Sequence, residues 1–119
     1  EALEQYEAAK DIYIQHGFTD TIEFAKLHVN FGASYGNLAG DVARFPSEEE
    51  RAACVDAARK NFTAAELIYR NLDMMDTSAY ARVQRGLGAC VPSEFAMEHY
   101  TFARDLYVKL WDTLGMEEK

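Results

Sequence analysis

The chain has few of the residues that break helices or crosslink a fold. Its 119 residues include two prolines, seven glycines and two cysteines. So little proline and glycine excludes collagen-like and low-complexity classes, and a 49% hydrophobic content excludes a disordered chain. The two cysteines, Cys54 and Cys90, lack the spacing of a disulfide framework or metal motif, which favours a reducing compartment. We therefore expect a folded cytoplasmic protein.

Long apolar runs and excess positive charge are also missing. No run approaches the roughly 18 to 20 apolar residues that cross a bilayer, so no membrane association is expected. Twelve basic against twenty acidic side chains give a formal charge of −8. This charge would repel a phosphate backbone, so nucleic acid is not expected as a partner.

The apolar residues recur at spacings of three and four almost throughout, and no stretch alternates in the manner of a strand. This periodicity predicts an all-α fold, with breaks where glycine or proline occurs and a capping box that begins at Ser47. The predicted helices span residues 1–16, 20–39, 48–72, 76–91 and 93–114. Residues 36–55 could either continue a helix or form a loop. We expect one domain over residues 1–119, and the helical pattern already present at Glu1 suggests a segment of a longer protein.

The sequence matches itself without gaps at an offset of 56 residues. Ile12-Tyr13 aligns with Ile68-Tyr69, and Asp20-Thr21 aligns with Asp76-Thr77. A third copy follows the second at an offset of 38 residues. The copies share an alanine, an aromatic residue four positions later and a second alanine three positions after that: Ala2/Tyr6/Ala9, Ala58/Phe62/Ala65 and Ala96/Tyr100/Ala103. Small side chains let a neighbouring helix approach closely while the ring fills the space between them.

In these motifs the chain resembles a tetratricopeptide repeat protein, most closely the longer-helix variety. Phe31-Gly32 followed by Tyr35 fits the first helix of that family's helix pair, and Leu87-Gly88 fits it with Val91 in the aromatic position. The offsets of 56 and 38 differ from the usual repeat of roughly 34 residues. His28 and Gln84 occupy the position of a family tryptophan. The resemblance implies a superhelical solenoid of about five antiparallel helices, in which one unpaired second helix precedes two helix pairs.

The resemblance also implies a binding surface, because the first helices of such pairs line a concave groove that receives a peptide or a partner helix. Carried over by position, the partner-binding residues are Lys26, Asn30, Asn37, Arg82 and Arg85, with Val29, Ala33 and Ala89 between them. Lys26 and Arg82 coincide at the 56-residue offset, so a carboxylate could pair with two cations on one wall. The alternative is that these cations form a solvated helix face.

We expect a non-catalytic scaffold that binds a peptide or protein in this groove, and the acidic composition predicts a partner that is basic outside it. The alternative function is an oligomerisation or regulatory module that controls an adjoining effector domain. On the last helix, Trp111 with Leu110 and Leu114 forms an apolar edge. Either further repeats follow there, or two copies associate end to end, or Trp111 packs inward.

Catalytic and metal-binding roles are not expected. His16, His28 and His99 and the two cysteines never lie three or four residues apart, the spacing that would aim two helical ligands at one ion. Catalysis by Cys90 would need His99 as its base, but the predicted turn at Pro92 separates them. The repeated aromatic residues Tyr6, Tyr13, Phe62, Tyr69, Tyr100 and Tyr107 are interpreted as core. No cofactor is expected.

Overall fold

A computed structural model describes residues 2–40, 47–91 and 93–114 of the chain. Within these ranges the protein is all-helical, as predicted, and each helix ends within two residues of its predicted bound. The helices are α1 (Ala2–Gln15), α2 (Ile22–Ala39), α3 (Glu48–Asn71), α4 (Ser78–Cys90) and α5 (Ser93–Leu114). The segment 36–55 is therefore helical at both of its ends, whereas residues 41–46 lie outside the described residues.

Side-chain caps explain where three of the helices begin. The hydroxyl of Thr21 accepts the Phe24 amide at 3.1 Å, and the hydroxyl of Thr77 accepts the Tyr80 amide at 3.2 Å. The two threonines are 56 residues apart and have nearly the same backbone angles. Ser47 caps α3 as predicted, because its hydroxyl accepts the amides of Glu49 and Glu50, the second and third residues of the helix. Each cap satisfies amide groups that have no partner inside the helix.

The two turns that precede these threonine caps also repeat. Gly17 after α1 has φ +74°, and Asp73 after α3, 56 residues later, has φ +58°. In both turns the next amide donates to the carbonyl five residues back, at 2.9 and 2.8 Å. This closure needs a left-handed residue, which glycine adopts freely and aspartate tolerates better than most others. The sequence offset is thus reproduced in backbone geometry.

The helices pack mainly in chain order. Each helix contacts its neighbours along the chain, and within the described ranges α2 with α4 is the one packed pair that is not consecutive. The Cα radius of gyration, 15.2 Å, exceeds the roughly 13.5 Å expected for a compact chain of this length. The extents of 43 × 39 × 25 Å show that the packed helices form a flat layer rather than a sphere.

The motif alanines lie between helices rather than in solvent. Ala58 and Ala65 are fully buried and Ala103 is 2% exposed, while Ala9 and Ala96 are partly buried. The side chain of Ala2 lies outside the described residues. The expectation that small residues in this motif allow close helix packing is therefore confirmed wherever the alanines are buried.

The two residues at the family's tryptophan position are buried and hydrogen-bonded. His28 on α2 lies 2.8 Å from Asn61 Oδ1 through Nδ1, and His99 on α5 makes the same contact with Gln84 on α4 at 2.8 Å. Gln84 in turn donates to Glu66 Oε2 at 2.6 Å. α2 and α4 are thus each tied to the helix that follows by a polar pair, and satisfied pairs of this kind fix how two helices face each other.

His28 should make the protein less stable in mild acid. Burial lowers the pKa of His28 from the ordinary 6.5. The hydrogen bond to Asn61 raises this pKa in part, and the charge of Lys10 lowers it further. The unfolded chain therefore takes up a proton before the folded chain does. The contribution of His28 to the free energy of unfolding is fully present above pH 6.5 and is lost as pH falls below it.

The variant His28→Gln tests this, because glutamine already fills the equivalent position at Gln84 and can donate to Asn61. We expect the two proteins to have similar urea midpoints at about pH 8 and the variant to lose less stability than the parent by about pH 5.5. If both proteins lose the same stability over this range, His28 does not contribute to the pH dependence.

Candidate functional site

Two adjoining cavities lie along the packed pair α2 and α4. Their volumes are about 700 and 310 Å³, and they share Val29 and Arg82 in their walls. We call them together the α2/α4 groove. It exists because α2 and α4 pack against each other while both also pack against α3.

Small residues give the larger cavity its depth. Gly32 and Ala33 on α2 face Gly86 and Ala89 on α4, and the Phe62 ring of α3 lies below them. A Cβ built on Gly86 would lie 2.6 Å from Phe62 Cζ, and one built on Gly32 would lie 2.8 Å from the same atom. Phe62 therefore packs directly against the backbones of both helices and forms an apolar floor.

All five residues predicted for partner binding line the α2/α4 groove. Asn37, Arg82 and Arg85 line the larger cavity, and Lys26 and Asn30 line the smaller one together with Arg82. All five side chains are exposed. The accompanying Val29, Ala33 and Ala89 line it too. The structure thus gathers residues that are up to 59 positions apart in sequence, from Lys26 to Arg85.

The groove is positively charged in an acidic protein. Lys26, Arg82 and Arg85 line it, and none of the described lining residues is an aspartate or glutamate. Among the described residues, these three cations have no ion-pair partner. Burial raises the pKa of Tyr69 above its ordinary value, and the charge of Arg82 opposes this shift. The groove therefore presents unneutralised positive charge beside an apolar floor.

One aromatic residue was assigned to the core but is partly exposed. Phe62 and Tyr69 are buried as predicted, and Tyr6, Tyr13 and Tyr107 pack partly buried against the core. Tyr100 is instead 40% exposed and lines the larger cavity. Its position in the motif is equivalent to that of Phe62, and Gly88 of α4 lies on it as Gly32 of α2 lies on Phe62. Among the described helices no second helix packs on Tyr100 as α4 packs on Phe62.

Cys90 also lines the groove, and the structure does not bring His99 to it. Burial raises the pKa of the Cys90 thiol, with Arg59 acting weakly in the opposite direction. His99 Nδ1 is engaged by Gln84 at 2.8 Å. A raised thiol pKa leaves less of the thiolate that a cysteine nucleophile needs.

The described residues contain neither a metal-binding cluster nor a helix suited to span a membrane. No group of three or more histidine, cysteine, aspartate or glutamate side chains is placed to hold a metal ion in these ranges. None of the five described helices combines the length and apolar character that spanning a membrane requires.

The apolar edge predicted on the last helix is only partly exposed. Leu110 is buried at 6% exposure and Trp111 is 40% exposed. The side chain of Leu114 lies outside the described residues. Self-association through this edge stays a prediction.

Comparison with profiles of known protein families, with curated proteins and with solved structures found no match to this chain.

Proposed function

We propose that the protein is a tetratricopeptide-like helical scaffold that binds an extended peptide segment of a partner protein in the α2/α4 groove. Support for the repeat comes from the motif alanines, the paired turns and the paired polar contacts, which recur at the sequence offsets of 56 and 38. Support for a ligand comes from the groove itself. The function is binding, without a chemical step.

The observation that carries this proposal is the gathering of the five predicted residues around one apolar floor. Three of them are cations without an acidic neighbour among the described lining residues. Cations that point into a concave, partly apolar surface favour a ligand carrying carboxylates, and arginine offers two parallel donors to such a group. The peptide therefore carries acidic side chains, while the surrounding acidic surface favours a partner that is basic elsewhere.

Asn30 and Asn37 suit an extended backbone. Each side-chain amide offers both a donor and an acceptor, so it can bind the N–H and C=O groups that an extended peptide leaves unpaired. The small side chains of α2 and α4 leave room for one apolar side chain of the peptide to reach Phe62. The ligand we propose is thus a segment with an apolar residue flanked by aspartate or glutamate.

The test begins with selection of random 12-residue peptides on the immobilised protein. One selected peptide is then titrated against variants by fluorescence polarisation. We expect acidic residues beside an apolar one in the selected peptides. Arg82→Glu and Arg85→Glu should each weaken binding by about tenfold or more, which corresponds to about 1.4 kcal/mol.

The matched control is Lys60→Glu, an exposed charge reversal on α3 outside the groove. Its side chain is 70% exposed. This variant should bind as tightly as the parent protein, apart from a small change that disappears as salt is raised. Equal weakening by Lys60→Glu would mean that only net charge matters, and selection of basic peptides would contradict the proposal.

A further inference from the structure

One stripe of side chains recurs on α1, α3 and α5. At offsets of 56 and 38, Tyr6 and Lys10 on α1 correspond to Phe62 and Glu66 on α3, and these correspond to Tyr100 and Arg104 on α5. Residues spaced by three or four positions lie on one helix face. On α5 the stripe consists of Met97, Tyr100, Arg104 and Val108, which we call the α5 stripe.

In the first two copies the next first helix covers this stripe. On α1, the Tyr6 ring lies 5.3 Å from that of Phe31 of α2, and Lys10 lies 6.0 Å from the same ring. On α3, Glu66 accepts hydrogen bonds from Gln84 and Tyr80 of α4.

Gly86 of α4 also lies directly on Phe62. The structure therefore shows twice which kind of helix packs on this stripe.

The third copy is covered less, because α5 packs against α4 alone among the described helices. Gly88 of α4 lies on the Tyr100 ring as Gly32 of α2 lies on Phe62, but no second described helix adds the contact that Gly86 makes with Phe62. Met97 is 69% exposed, Val108 is 54% exposed and Tyr100 is 40% exposed. On α3 the positions of Met97 and Val108 hold Arg59 and Arg70 instead. The less covered copy is thus more apolar than the covered copy, as a docking surface would be.

We propose that the α5 stripe binds an amphipathic helix supplied by a partner protein, in the same way that α4 covers α3. The chemistry of that helix follows from the covered copies. As in the α3 copy, where Gly86 lies over Phe62, the partner helix carries a glycine that packs on Tyr100 in addition to Gly88 of α4, and it carries large apolar residues that cover Met97 and Val108.

At the position equivalent to Gln84, the proposed partner helix carries a carboxylate. Gln84 donates to Glu66 on α3, but α5 carries Arg104 there, and a cation requires an acceptor. Arg104 contacts Asp105 at 3.1 Å, and with side chains 70% and 64% exposed this pair is weak and can exchange.

The test uses a peptide with the sequence of residues 77–91 that carries Gln84→Glu and Cys90→Ser. The changes Ser78→Lys and Arg82→Asp, at two positions exposed on α4, allow the lysine amine and the aspartate carboxyl group to condense, with loss of water, into a lactam that keeps the peptide helical. The protein has a single tryptophan, Trp111, three residues beyond Val108, and the peptide has none. Binding can therefore be followed by Trp111 fluorescence, and we expect saturable binding by a single peptide.

Two matched changes identify the contact. The peptide with Gly86→Val should bind at least tenfold more weakly, because a side chain at that position would meet Tyr100. Protein Arg104→Glu should weaken binding about tenfold, and a peptide with Gln84→Lys should restore it. Lys26→Glu, in the smaller cavity of the α2/α4 groove away from Tyr100, should leave this binding unchanged, which separates it from the proposed groove ligand.

Other occupants would give different results. Light scattering of the protein alone should show a monomer, and a dimer abolished by Met97→Glu would overturn the proposal in favour of a second copy. The proposal also fails if the lactam peptide does not bind, or if the Gly86→Val peptide binds equally well.

Discussion

Phe62→Ala should destabilise the protein by about 3–5 kcal/mol, the usual cost of truncating a buried phenylalanine. The ring is 7% exposed and packs against the backbones of two helices, at Gly32 and Gly86. Its loss leaves a cavity where α2, α3 and α4 meet. Urea unfolding followed by circular dichroism measures the change in the free energy of unfolding.

The control is Phe102→Ala on α5. That ring is 47% exposed and contacts Tyr80 edge-on at 5.8 Å, so its removal should cost about 1 kcal/mol or less. Equal losses at the two positions would mean that Phe62 does not hold the three helices together.

A mutant cycle examines the contact between Phe62 and Gly86 itself. In an open helical position, alanine is favoured over glycine by about 0.8–1.0 kcal/mol. Gly86→Ala should nevertheless destabilise the parent protein, because its Cβ would lie 2.6 Å from the ring, and should be neutral or stabilising in Phe62→Ala. Gly36→Ala in α2, where a Cβ meets nothing within 4 Å, should be stabilising in both backgrounds.

The helices and their repeat could be predicted from sequence because both depend on local spacing. The fixed spacing of alanines and aromatic rings predicted which helix faces pack against each other. This prediction agrees with the full burial of Ala58 and Ala65. The left-handed Asp73 could be inferred only from its alignment with Gly17, since aspartate does not by itself specify a positive φ.

Other features depend on neighbours that a motif does not specify. The motif gives Tyr100 the same position as Phe62, and burial at that position requires another helix to pack on it. Gln84 and Glu66 are 18 residues apart, and their hydrogen bond depends on how α3 and α4 are packed. The five predicted residues all line the α2/α4 groove. Their prediction used the 56-residue offset, which indicates the residues that share a helix face and does not require knowledge of any single contact.

Ala65→Leu should lower the free energy of unfolding by about 1–3 kcal/mol or more. Ala65 is fully buried on α3, which packs against both α2 and α4, and leucine adds three carbons without space to hold them. We also expect peptide binding to weaken, because forcing α3 outward displaces Phe62, one turn before it, from the floor of the α2/α4 groove. Thermal unfolding and the polarisation assay measure the two effects on the same samples.

Ala53→Leu provides the matched change on the same helix. Ala53 is exposed, and alanine and leucine differ little in helix propensity. This substitution should therefore change the free energy of unfolding of the protein by no more than about 0.5 kcal/mol. The difference in the free energy of unfolding between the two variants then measures the cost of packing leucine at the motif, because the helix propensity of leucine is common to both. If Ala65→Leu were as stable as Ala53→Leu, close approach of helices at the motif alanines would not be needed, and the repeat would lose its physical basis.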